Sequence, residues 1–267
     1  MKTIRPLLLA ICLLAGIAQA SELRVAIGVQ DPAQLAMGGN VIPPNMPGSE
    51  LIAVNDDLAR EVCRRIHARC TVSFVPFSAV LPGVEEGRFD LGFGNLLRTP
   101  EREKRVAFSA PIWRSSSRLL GTPATAEAFA TKLSQPVNLD NLRDARVAAL
   151  EGSLQLTFLN TIANQRGLTV FSRRTAQEVI EALRDNTADF GLLSVLSAYA
   201  LLNRDTTRQI EFIGSAVADR GLGGTVHIAL PLQNDTLRHA VDQAIAAIRA
   251  DGSFQRIARR HFPLGLD

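Results

Sequence analysis

Arg102 is the residue with the clearest chemical task. It closes the run Thr99-Pro100-Glu101-Arg102, which follows an apolar strand-like stretch through Phe89, Leu91 and Phe93. Thr99 suits a helix cap, and Pro100 suits the first helical position, where its missing N–H costs nothing. The guanidinium is therefore placed in the first turn of a helix, beside orphan backbone donors and a positive dipole end, which is chemistry for holding an anion. Ser153, directly after Gly152, repeats that logic at a second helix start, where one hydroxyl can both cap the helix and donate to a carboxylate. His67, His227, His239 and His261 are scattered. None has a neighbour at metal-ligand spacing and no Ser/His/Asp set forms, so neither a metal nor a catalytic group is expected.

The elements that must position these residues follow an α/β pattern. Short runs rich in Val, Ile and Phe alternate with helical periodicities. Strands are expected at Leu23 to Val29, Thr71 to Val75 and Phe89 to Phe93, with a helix from Asp57 to Ile66 and a short one around Val80 to Val84, closed by Gly87. The set then recurs: strand Arg146 to Ala149, helix from Gln155, strand Leu168 to Phe171, helix Ala176 to Asp185 behind the capping box Thr175 to Glu178, strand Asp189 to Leu193. Two such sets predict two lobes, with a passage near the polar run Arg114 to Arg118. A further strand, Thr225 to Leu230, precedes an amphipathic helix from Leu237 to Ile248, stopped at Gly252, and a last apolar face at Phe254 to Phe262. This tail has no strands of its own to cover, so it is expected to return to an earlier sheet. The segment from about residue 33 to 50, with Pro43, Pro44 and Pro47 and with Pro32 beside it, reads as loop.

At 267 residues and 46% hydrophobic content, the chain can bury one large or two modest cores. Residues 1–20 read as a signal peptide: Lys2 and Arg5, the apolar run Leu7 to Ala18, and a small-residue cleavage site Ala18-Gln19-Ala20. Its removal leaves 27 basic residues against 26 acidic ones, counted from the 29 and 26 of the whole chain. That balance, without a basic run interleaved with aromatics, argues against nucleic acid as a partner. Beyond residue 20 no apolar run approaches ~20 residues, so no membrane span is expected. Two cysteines remain, Cys63 and Cys70. In an exported chain they are most simply a disulfide joining a helix end to the next strand; a metal pair with His67 or two free thiols are the alternatives.

Asp57-Leu58-Ala59 with the Cys63 and Cys70 pair, Gly87-Arg88-Phe89-Asp90, Thr99-Pro100-Glu101-Arg102, Phe108-Ser109, Glu151-Gly152-Ser153, Asp189 and Ala250-Asp251-Gly252-Ser253 occur together in this order. In that order and spacing the chain resembles the periplasmic solute-binding proteins of amino-acid ABC transporters, most closely the branch binding histidine, lysine, arginine or ornithine. The resemblance implies an α/β, two-lobed periplasmic-binding-protein fold of type II, with two hinge crossings near Ser116 to Leu120 and Thr225 to Ala229. Lobe one would comprise residues 21–117 and 227–267, and lobe two residues 118–226. It also implies a monomer in the periplasm, no cofactor, a small ligand with a carboxylate, and an inner-membrane ABC permease as partner.

By the same resemblance, Arg102 grips the ligand carboxylate, and Gly152 and Ser153 donate from lobe two. Gly94, Asn95 and Leu97 stand where hydroxyl residues often assist. Ser194 stands where the family usually has an aspartate against the ligand ammonium, and a hydroxyl cannot supply that charge in a desolvated cleft. Asp31 and Glu151 are the candidates to replace it. Two other functions fit the same scaffold: a sensory protein presenting its ligand to a receptor, and a cyclohexadienyl-dehydratase-like enzyme with Glu151 as its acid.

Overall fold

The computed structural model describes residues 22–29, 42, 46, 48–203, 209–263 and 266. The expected signal peptide and Asp31 lie outside the described residues. The first sheet has the strand order β2-β1-β3-β11-β4, with β5 also pairing β11. Its strands are β1 (Glu22–Val29), β2 (Arg69–Pro76), β3 (Leu91–Leu97), β4 (Ala107–Phe108), β5 (Trp113–Ser115) and β11 (Gly224–Leu230). The second sheet runs β10-β6-β9-β7-β8. It contains β6 (Ser117–Gly121), β7 (Arg146–Leu150), β8 (Thr169–Arg173), β9 (Phe190–Ser194) and β10 (Glu211–Val217).

The two sheets share one plan. In each, the first, second and third strands of a βαβαβ set run parallel, and an antiparallel strand joins beside the third: β11 against β3, β6 against β9. The same ion pair braces both. Asp90, just before β3, accepts from the backbone N–H of Arg24 at 2.7 Å and from its guanidinium at 3.0 and 3.1 Å. Asp189, just before β9, does the same to Arg146 at 2.7, 2.7 and 3.2 Å. Asp189 thus orders its turn.

Helices cover both faces of each sheet. On the first, α1 (Ser49–Arg65), α8 (Asp235–Ala250) and α9 (Ser253–His261) bury Leu58, Val62, Val241, Ile245, Phe254 and Ile257 against one face, and α2 (Phe77–Glu85) covers the other through Val80 and Val84. The tail does return to the first sheet. On the second, α4 (Pro123–Leu133) and α5 (Leu154–Arg166) cover one face. There α6 (Ala176–Arg184) and α7 (Val195–Leu202) cover the other. One turn of helix, α3 (Pro100–Glu103), follows β3. Cys63 and Cys70 form a disulfide from the end of α1 to β2.

The elements differ from the sequence expectation in several places, among them α4, α7 and β10, which it did not mark. α1 begins at Ser49 rather than Asp57, because Leu51, Ile52 and Val54 extend its buried face by two turns, back to a left-handed Gly48. β3 starts at Leu91, since the N–H groups of Arg88 and Phe89 both turn back to the carbonyl of Gly83 and hold Phe89 in the turn. The polar run Arg114 to Arg118 is extended chain, in which β5 belongs to the first sheet and β6 to the second.

Candidate functional site

Parallel α/β sheets expose ligands at the carboxyl ends of their strands, where the following helices begin. Both sheets turn that edge toward one cavity. Its described walls are the ends of β1 (Gly28, Val29) and β3 (Gly94, Asn95, Leu97) from one side, and of β7 (Leu150) and β9 (Leu193, Ser194) from the other. Arg102 separates this cavity from a second, outer one that reaches Gly152, Thr157 and Arg105.

Arg102 is only 8% exposed. Its Nη1 donates to the carbonyl of Leu97 at 2.9 Å, and its Nη2 reaches across to the carbonyl of Gly152 at 3.1 Å. Among the described residues no carboxylate forms an ion pair with it. Burial, with the neighbouring Arg105 adding to it, pulls the guanidinium down to about 10, so it remains cationic at neutral pH. Thr99 caps α3 as its position suggests, accepting from the Arg102 N–H at 3.3 Å. With only four residues, however, α3 contributes little dipole, so the positive charge at this point is that of the guanidinium itself.

Ser153 is buried at the start of α5, where its Oγ accepts from the N–H of Leu156 at 3.1 Å and still faces the cavity. Ser194 occupies the matching place on α7: its Oγ accepts from the Ser197 N–H at 3.2 Å and donates to Ser197 Oγ at 2.8 Å. Gly152 has φ of 72°, a left-handed backbone. A Cβ there would lie 3.0 Å from the Cα of Ser78 on α2, so the two walls already touch at this point.

Asn95 lines the cavity with its side chain committed elsewhere. Its Oδ1 accepts from the indole N–H of Trp113 at 3.0 Å and its Nδ2 donates to Ser115 Oγ at 3.3 Å. Trp113 itself is buried in the core. Glu151 is exposed and lines neither cavity. Arg98 is turned out to an ion pair with Glu103. Among the described residues no group of three or more His, Cys, Asp or Glu side chains could hold a metal ion.

The family model for bacterial extracellular solute-binding proteins, family 3, matches residues 45–264. The chain belongs to that family. The histidine-binding periplasmic protein of Escherichia coli K12 is 26% identical over 215 residues, 80% of each chain. The lysine/arginine/ornithine-binding periplasmic protein of the same strain is 24% identical over 261 residues, 96% of each. An ancestral arginine-binding protein solved with arginine superposes with a TM-score of 0.73 at 18% identity, covering 91% of this chain and 98% of that one, a likeness of fold.

Several residues of this solute-binding protein's cavity went unmarked in its sequence. Gln155 is buried and donates at 2.7 Å to Ser117 Oγ, which donates in turn at 2.6 Å to the carbonyl of Leu222. That chain ties α5 to both passages between the sheets. Phe77 and Leu154 wall the cavity from the first turns of α2 and α5. The rule that binding residues gather at strand ends would have found them, since each lies within two residues of a helix start.

Proposed function

We propose that this protein is a periplasmic carrier, which closes its cleft on an amino acid or a related small carboxylate and delivers it to the permease of an ABC importer. One observation supports this reading above the others: a buried guanidinium, held by two backbone carbonyls from opposite walls and balanced by no described carboxylate. A charge so placed is costly to desolvate, and a ligand carboxylate would supply both its counter-ion and a reason for the walls to close. The relatives' names, among them an ABC transporter arginine-binding protein of Escherichia coli K12, point the same way. Residues 21–117 and 227–267 would move as lobe one, and 118–226 as lobe two; keeping β6 and β11 whole would start lobe two at Ser117 and the return to lobe one at Gly224.

Isothermal titration of refolded, ligand-free protein against amino acids and small organic acids tests the reading. A saturable carboxylate ligand is expected, with affinity falling roughly 100-fold or more in Arg102→Ala, the scale for losing one partner of a buried charge pair. Binding that survives Arg102→Ala unchanged would overturn the role given to that residue.

A further inference from the structure

We infer that the ligand of this cleft is a small carboxylate without an ammonium group, of the 2-oxo, 2-hydroxy or plain aliphatic acid type. The inference rests on the carboxylate-carrier reading above, and narrows it by charge and by acceptor supply.

Among the described residues, Arg102 is the one ionised side chain lining the inner cavity and no aspartate or glutamate joins it; Asp31, the other candidate acid beside Glu151, lies outside them. Glu50, near in sequence to the lining residue Leu51, lines neither cavity, and Glu101 faces the outer one. The helix ends reinforce the positive sign. α5, of 13 residues, and α7, of 8, both begin at this cavity, with Ser153 and Ser194 as their caps. Their orphan N–H groups favour an anion and oppose a cation.

An ammonium also needs acceptors for three donors. The carbonyls of Leu97 and Gly152 already accept from the cationic Arg102, whose charge opposes a second cation at the same oxygens. Ser194 Oγ accepts once from and donates once to Ser197, and Asn95 Oδ1 accepts from Trp113, so each offers at most a neutral oxygen without charge. Gln155 spends its amide nitrogen on Ser117 and leaves a neutral amide oxygen, enough for a hydroxyl and without charge for an ammonium. Ser153 and Ser197 add neutral hydroxyls, and the other described side chains of the wall are apolar, among them Val29, Phe77, Leu150 and Leu193. An amino acid whose carboxylate sits on Arg102 would therefore bury its ammonium beside two positive helix ends.

Matched acids separate the possibilities by isothermal titration of the refolded protein: L-alanine with pyruvate and lactate, and L-leucine with 4-methyl-2-oxopentanoate and 4-methylpentanoate. Within a set that binds, a deaminated acid is expected to bind at least about tenfold tighter than the amino acid, the scale for an unpaired buried charge. An amino acid that binds equally well or better overturns the inference and leaves the carrier reading standing; no binding by any acid overturns both. Ser194→Asp supplies the missing charge while keeping a good cap, and should move the preference toward the amino acid by about tenfold or more. An unmoved preference in that variant also overturns the inference.

Discussion

His227 shows how one buried side chain can set a pH limit. It is 4% exposed, with Nδ1 at 2.6 Å from the carbonyl of Ser109 and Nε2 at 2.8 Å from Thr225 Oγ1. The carbonyl can only accept, so Nδ1 carries the proton and Nε2 accepts from the hydroxyl. Burial lowers the imidazole below its ordinary value, and Arg98 adds to that; the Ser109 bond, Glu103 and Asp242 oppose it without prevailing. A folded value below the unfolded one means the unfolded chain binds the extra proton first, so stability is present above about pH 6.5 and is lost as pH falls from there. Urea midpoints are expected to decline from pH 7 to 5, and more shallowly in His227→Asn. Equal slopes in the two proteins would show that His227 does not set this window. At this scale, residue type and position were informative for the placement of Arg102 and Ser153 at the cavity, because each stands at a helix start. They were not for Asn95, whose amide is spent on Trp113 and Ser115, nor for Glu151, whose exposure follows from the turn around Gly152.

Elements were legible wherever caps and periodicity agreed. Thr175 and Glu178 bracket α6 as a capping box: Thr175 accepts from the Glu178 N–H at 3.0 Å, while Glu178 reaches back to the N–H of Arg174 at 2.9 Å. α7 was illegible, since Val195–Leu202 is a short apolar run continuous with β9 and only the Ser194 cap divides them. The disulfide was legible as an element-to-element clip, and its position makes a separable prediction. Cys70 pairs with Leu23 at the start of β1, whereas the cavity lies at Gly28, about 16 Å further along the strand. The double variant Cys63→Ala/Cys70→Ala should therefore lose about 2 kcal/mol of unfolding free energy, the scale for so short a loop. Its ligand affinity should match the parent's. A loss of affinity at temperatures where the variant is fully folded would mean the clip shapes the cleft.

For the whole molecule, the repeated βαβαβ plan could be read from the sequence, but the meeting of its two halves could not, because Gly152 and Ser78 lie in separate sets and come together only in the folded chain. That contact carries the last prediction. Alanine at position 152 would retain the carbonyl that accepts from Arg102, so the guanidinium keeps its partner. Its methyl group would stand 3.0 Å from Ser78 Cα and 3.2 Å from Ser78 Cβ, a backbone obstruction that no side-chain rotation relieves. It would also hold a non-glycine residue at φ of 72°, which costs about 1–2 kcal/mol whether the lobes are open or closed. In the proposed carrier cycle the clash, by contrast, acts on the closed form alone. Ligand that binds through closure must then work against an equilibrium moved toward the open form, and an apparent affinity about 10- to 100-fold weaker is expected in Gly152→Ala. Small-angle scattering distinguishes this from a damaged pocket: the wild type should contract on saturation with ligand, while the variant should contract less or not at all. Equal contraction in both would show that closure does not bring position 152 against Ser78.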